Sequence, residues 1–304
     1  MELTDRFFGN GTPELGGPPV ANLRLADPPA FALLFATMPM LDADALTLAL
    51  RNYHPELAQA TAELLAVMPR AEVTDSPPGI MGLIGWGRHV VKVVGFASPM
   101  PASAVERCVS PAHYDPETKE AATQHQAYVL LFYAGYEPDP YEQHVALAAA
   151  AAALTRFDAI VVLNETAVTS VPAIVLLPHE EDEGDTLKSL RTLPLPFLFA
   201  GFVKLEVEGD SGIWMRTHGC RAFGLPDLAF HAASHEQGTA TFNLFANLLA
   251  YMRESNQPFV PGDTMNIGDG LFLRVREHTE AEWFLDAEHP ILVTETISEA
   301  ETNP

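Results

Sequence analysis

Tyr128-Val129-Leu130-Leu131-Phe132-Tyr133 is aromatic and aliphatic throughout, with no charged side chain to turn toward water. A strand without a polar alternate face needs cover on both sides, so this run reads as a central strand. The reading extends outward from it. Phe31–Phe35 is a second continuous apolar run, short enough to be a buried strand. Asp42 stands where it can cap a helix, and Leu46, Ala49, Leu50 and Tyr53 follow at helical spacing. Pro55 suits the first turn of a further helical segment through Leu57, Leu64 and Leu65. Ile80–Gly85 and Val90–Phe96 flank Trp86-Gly87-Arg88 and predict a hairpin. Pro99 and Pro101 stop the second strand, and helical material follows over Ala102–Cys108 and Glu117–Gln124. The order β-α-β-β-α-β predicts a ferredoxin-like α/β sandwich. Beyond it, Asp139-Pro140 opens a helix that contains the alanine run Ala148–Ala153, and Ile160–Leu163 returns as a strand. Ala173–Leu177 is an apolar segment of either type.

The second half has a different texture. Phe202–Val207 and Gly212–Thr217 flank Glu208-Gly209-Asp210, a turn sequence, and predict another hairpin. Leu228–His231 reads as a third strand. Thr239 or Thr241 can cap a helix whose Phe242, Phe245, Leu248, Leu249 and Met252 share one face. Leu271–Arg276, Glu282–Leu285 and Ile291–Thr294 complete a predicted antiparallel sheet with one packed helix. The fold class is α+β, with no sequence repeat between the halves.

With 304 residues, 48% of them hydrophobic, the chain can build one large or two medium cores. Residues 1–29, rich in Gly, Pro and Asn, read as a flexible arm, and 296–304 as a frayed tail. Between a unit at 30–179 and a unit at 191–295, the span 180–190 reads as a linker. It opens on Glu180-Glu181-Asp182-Glu183-Gly184-Asp185, whose like charges repel and cannot pack.

Lys and Arg number 17 against 40 Asp and Glu, a net charge of −23. That excludes a protein whose affinity comes from gripping phosphates, so no nucleic acid and no anionic membrane surface is expected as a partner. Two cysteines, Cys108 and Cys220, suggest neither a disulfide scaffold nor a zinc site. The N-terminus is acidic and not followed by an apolar run, so a cytoplasmic location is expected.

Several segments together resemble a known family. They are Phe31–Met38, Ser98-Pro99-Met100-Pro101, His125-Gln126-Ala127-Tyr128-Val129 and Asp158-Ala159-Ile160-Val161-Val162. The most specific are Thr217-His218-Gly219-Cys220-Arg221-Ala222-Phe223-Gly224-Leu225-Pro226-Asp227-Leu228 and Pro261-Gly262-Asp263-Thr264. In order and spacing they resemble the bacterial domain-of-unknown-function family numbered 4261, over roughly residues 30 to 295. The resemblance implies a bacterial α+β protein of intracellular type, with members that look like accessory or immunity-type proteins. It carries no established reaction and therefore no catalytic residue. On their own chemistry, Gly219, Gly224, Pro226 and Asp227 suit a corner between strands, with a ligand-facing loop as the alternative, and Gly262-Asp263-Thr264 suits a strand-entry turn rather than a cation site.

His231 and His235 are spaced so that a helix would bring them to one face, and His218 or Glu236 could add a third metal ligand. Ala232 stands where a zinc-protease motif needs Glu, and the competing reading is a strand end and a polar loop. His218 beside Cys220 invites a thiol nucleophile, but no third group orients the pair locally, and an ordinary buried Cys is the simpler reading. His125 and His144 read as satisfied polar groups at the core edge. No cofactor-binding or catalytic residue is assigned and no cofactor is expected.

Three functions follow as expectations. The first is a non-enzymatic acidic binding protein with a basic protein partner, an immunity-type protein neutralising a basic toxin being its specific case. Glu180, Glu181, Asp182, Glu183 and Asp185 would then face that partner. The second is a hydrolase-like enzyme with a site near His218, His231 and His235. The third is a structural or accessory component of an assembly.

Overall fold

The structure, a computed structural model, describes residues 2–9, 17–66, 79–179, 185–268, 271–285 and 289–301. The chain forms two compact units, Met1–Glu165 with Thr169–Leu193, and Thr166–Val168 with Pro194–Pro304. The α+β class is as expected, with one sheet in each unit.

The first unit contains, in order, α1 (Leu3–Phe7), β1 (Ala30–Phe35), α2 (Ala43–Tyr53), β2 (Thr61–Ala66), β3 (Ile80–Trp86) and β4 (His89–Phe96). It continues with α3 (Ala102–Val109), α4 (Pro116–Thr123), β5 (Ala127–Tyr133), α5 (Pro140–Thr155), β6 (Ala159–Asn164), β7 (Thr169–Pro172) and α6 (Thr186–Thr192). Its seven strands run in the order β2-β3-β4-β5-β1-β6-β7, and every neighbouring pair is antiparallel. β5 lies between β4 and β1, the central place its composition predicts. Tyr128 and Leu130 lie against a cluster with Val105, Cys108 and Val109 of α3 and Ala122 of α4. Val129, Leu131 and Tyr133 are buried on the alternate positions.

α5 packs against β1, β4, β5 and β6 of the sheet and against α2 and α6. A helix enclosed by that many elements cannot be amphipathic, and a side chain larger than a methyl would hold its neighbours off. The run Ala148–Ala153 is accordingly buried at every position. The Asp139 carboxylate caps it by accepting from the Tyr141 N–H at 2.9 Å.

Two expectations for this half are corrected. Leu64 and Leu65 belong to strand β2, not to a helix, because edge pairing to β3 outweighs their helical spacing. Gly82 of β3 permits that pairing: a side chain there would collide with the Glu63 carbonyl and Leu64. The sheet also departs from the ferredoxin-like order: β5 lies directly between β4 and β1, where that fold would place β1 between β4 and β5. In addition, the described part of the N-terminal segment is docked. Phe7 and Ala21 pack with Leu83, Val90 and Ala134, and buried Arg6 pairs with Glu63 of β2.

The second unit contains α7 (Leu195–Leu198), β8 (Gly201–Leu205), β9 (Ile213–His218), β10 (Asp227–Ala232), α8 (Gly238–Ser255), β11 (Thr264–Gly268), β12 (Leu271–Arg276) and β13 (Ile291–Ser298). The strand order is β11-β12-β13-β10-β9-β8. β10 and β13 are parallel, so the sheet is mixed, not purely antiparallel as expected. α8 covers β9 and β10, and Phe242 and Phe245 meet Phe202 edge-on at 5.7 and 6.1 Å. Gly238 begins α8 without a side-chain cap, and Thr241 is buried inside the helix. Glu282–Leu285 lies in a helical turn, not a strand, which drives Phe284 and Leu285 against Trp214. The strand β11 follows Gly262-Asp263, which serves as a strand-entry turn. Among the described residues no helix is long and apolar enough to cross a membrane.

Two outcomes follow for the alanine helix. Ala150→Leu should overpack the first unit and cost about 1–3 kcal/mol, seen as a lower urea midpoint. His144, on the same helix, is buried, and its Nδ1–H donates to the Pro140 carbonyl at 2.8 Å. Burial holds its pKa down to about 4. The unfolded chain titrates near 6.5, so the folded value is the lower. Stability from the neutral imidazole is therefore complete above pH 6.5 and is lost as pH falls to about 4. The size is about 3 kcal/mol. Urea titrations from pH 7 to 4 should show a shallower loss in His144→Gln than in the parent protein.

Candidate functional site

The corner between β9 and β10 is built from the most specific run of the sequence. Gly219 and Gly224 take φ of 87° and 69°, left-handed values that a side chain disfavours, and bracket the tight turn Cys220–Phe223. A buried carboxylate closes the corner. Asp227 accepts from the Thr217 hydroxyl at 3.0 Å and from the Cys220 N–H at 3.3 Å. The same hydroxyl accepts the Leu228 N–H at 2.8 Å, so the first peptide of β10 is satisfied by a side chain. Arg216 is buried beside this group, donating to the carbonyls of Thr217 at 3.3 Å and Leu285 at 3.4 Å. Burial lowers the Arg216 pKa, and the charge of Asp227 opposes that shift. Burial and the same carboxylate hold the Cys220 thiol well above its usual range. Cys220 is thus a protonated packing group at neutral pH and a poor nucleophile.

The histidines singled out by spacing do not share a site. His218 ends β9 opposite Gly201 of β8, and its pKa is pushed down to about 4 by burial and by the charge of Arg216. His231 is on β10 opposite Trp214, exposed, with Nε2 3.0 Å from Asp210. Trp214 lies four residues before His218 on β9, which places the two histidines about 13 Å apart along the sheet. His235 lies past the strand end with its Nε2 2.8 Å from Glu206. Among the described residues no group of three His, Cys, Asp or Glu side chains is placed to hold a metal. His125 and His144 are the satisfied core groups their positions suggest: His125 Nε2 accepts the Met100 N–H at 2.8 Å, and His144 is bonded as above.

Glu180, Glu181, Asp182 and Glu183 lie outside the described residues. Asp185, which follows them, is a helix cap. It accepts the Lys188 N–H at 2.9 Å and stands 3.1 Å from Nε2 of His54.

A cleft of about 690 Å³ opens on the outer side of the β9–β10 corner. Leu225, Ile291 and Leu292 form its buried floor, and Phe259 and Pro226 its apolar walls. Arg221, His289, Glu277 and His278 supply the polar groups. Arg221 Nη1 donates to His289 Nδ1 at 2.9 Å. No spacing in the sequence marks this cleft. It exists because β10 and β13 run parallel, which sets the Asp227 N–H on the Pro290 carbonyl at 3.1 Å and brings the two strand entries together. In the first unit a smaller cavity of about 290 Å³ is lined by Trp86, His89, Glu137 and Glu142. Arg191 closes it, paired with Glu142 at 2.9 Å and with Glu56 at 3.3 Å. Burial lowers the His89 pKa.

Asp227→Asn should cost about 3 kcal/mol, because it leaves the Arg216 guanidinium buried against a neutral partner. Arg216→Met in the Asp227→Asn background should recover part of that loss. Denaturation followed by tryptophan fluorescence measures these and Arg216→Met alone, and a loss in the double variant equal to the sum of the two single losses would show that the two charges are not coupled.

No curated protein and no solved structure matches the chain. Residues 216–286, which carry Arg216, the glycine-bracketed turn, Asp227 and much of the cleft, match the family described as Domain of unknown function (DUF4261).

Proposed function

We propose that this is an acidic binding protein that acts in the cytoplasm on a basic protein partner. The observation that carries the reading is how the chain disposes of its few cations. Among its 17 basic residues, Arg6, Arg107, Arg191, Arg274 and Arg276 are each matched to a carboxylate, and Arg216 is buried. With 40 acidic residues against 17 basic ones, the surplus negative charge is left to the surface. Part of it is grouped: Glu106 on α3 and Glu117 and Glu120 on the adjoining α4 are exposed, with no cation partner among the described residues. Such a face attracts a cationic protein over a distance and orients it before contact. An immunity-type protein covering the cationic site of a toxin is the specific case we favour.

The test is a bait screen in the source cell followed by association kinetics with the captured protein. The partner should be rich in Lys and Arg. Its on-rate should fall at least about tenfold between 50 and 500 mM salt, because the Debye length shrinks from about 14 to 4 Å. Glu106→Gln/Glu117→Gln/Glu120→Gln should slow association at low salt and leave the melting temperature within a degree or two, since exposed charges contribute little to stability. If the partner is a toxin, co-expression should restore growth. An on-rate indifferent to salt and to the triple variant would overturn the electrostatic reading.

A further inference from the structure

We propose that the cleft beside the β9–β10 corner binds the C-terminal end of a polypeptide, taking its α-carboxylate on Arg221 and an apolar last side chain on the floor formed by Leu225, Ile291 and Leu292. This inference does not depend on the basic partner proposed above.

The first argument is charge. Arg107, Arg191, Arg274 and Arg276 are each paired with one of this protein's own carboxylates. Arg221 is exposed at the cleft and is bonded instead to a histidine, with no carboxylate partner among the described residues. A guanidinium offers two parallel N–H donors that match a carboxylate in a bidentate arrangement. Its position is set by the main chain: it follows Cys220 in a turn clamped by Asp227 and held between two left-handed glycines. The main chain that carries the group is therefore set before a ligand arrives, which reduces the ordering cost of binding.

The second argument is the surface next to it. Leu225, 8% exposed, and Ile291 and Leu292, each 5% exposed, line the cleft together with Phe259. Prolines 226, 258, 261 and 290 surround it and have no N–H to offer. The floor thus takes apolar groups, while Arg221 takes the anion. Glu277 and His278 stand on the cleft as further polar groups and can bond the peptide N–H and C=O that precede the last residue.

The third argument selects the occupant. A single anionic group suits this cation, because a polyanion would meet the repulsion of a chain with net charge −23. The volume of about 690 Å³ is more than one amino-acid side chain and its carboxylate fill, and lies within the range of about 300–1,000 Å³ of clefts that hold a drug-sized ligand. Capture of a C-terminal carboxylate beside an apolar pocket is an established mode of peptide recognition on other folds.

The experiment uses the full chain and an array of fluorescein-labelled hexapeptides ending in Leu, Ile, Val or Phe as the free acid. Each is paired with its C-terminal amide, and decanoate serves as a free apolar carboxylate. At least one free-acid peptide should bind saturably by fluorescence polarisation, and its amide should bind at least about tenfold more weakly. Arg221→Gln should cause a similar loss and Arg221→Lys a smaller one, with the melting temperature of both unchanged because the side chain is exposed. Leu292 methyl resonances should shift on titration. Equal binding of acid and amide, equal binding by Arg221→Gln, or binding of decanoate with no binding of any peptide would each overturn the proposal.

Discussion

The carboxylate of Asp227 is buried where a strand must start, and the second unit is arranged around keeping it satisfied. A buried carboxylate is tolerated only if its oxygens are bonded and its charge is opposed. Thr217 and the Cys220 amide do the first, and Arg216 does the second. Because the Thr217 hydroxyl also receives the Leu228 amide, the same group ends β9 and begins β10. The turn between them is then short, glycine-bracketed and outward-facing, and it carries Arg221 and Leu225 to the cleft. A buried polar network has thus become the support for an exposed surface.

The first unit is built on a different constraint, the enclosure of α5. A helix covered by a sheet on one side and by helices on another must be small as well as apolar, and alanine is the residue that meets both demands without a helix-propensity cost. His144 is the polar exception on that helix, and its neutral state is a consequence of enclosure. Arginines that touch the cores are paired or buried, and carboxylates take the remaining surface.

Features that depend on neighbours in the chain were open to sequence reasoning. Tyr128–Tyr133 has no polar face, so its central place followed from composition alone. Asp42 and Asp139 cap the helices that follow them, because capping is settled within three residues. Gly219, Gly224, Pro226 and Asp227 marked a corner between strands, since each acts through its own backbone geometry or local hydrogen bonds. The family match over residues 216–286 falls on the same run.

Features that depend on distant partners were not. The turn Pro55–Leu57 is helical as expected, but its continuation through Leu64 and Leu65 was overridden by pairing with β3, an event decided by residues beyond position 79. His231 and His235 have the interval of a metal-binding helix, but one is on a strand and the other past its end, so the interval places them apart. The cleft had no signal in the sequence, because its floor joins Leu225 to Ile291 and Leu292 across the parallel pairing of β10 with β13. The sequence alone therefore determined the class, the charge and the corner, all of which are local or additive. Tertiary structure decided the strand order, the neighbours of each histidine and the existence of the cleft, because each of these depends on which distant segments share hydrogen bonds.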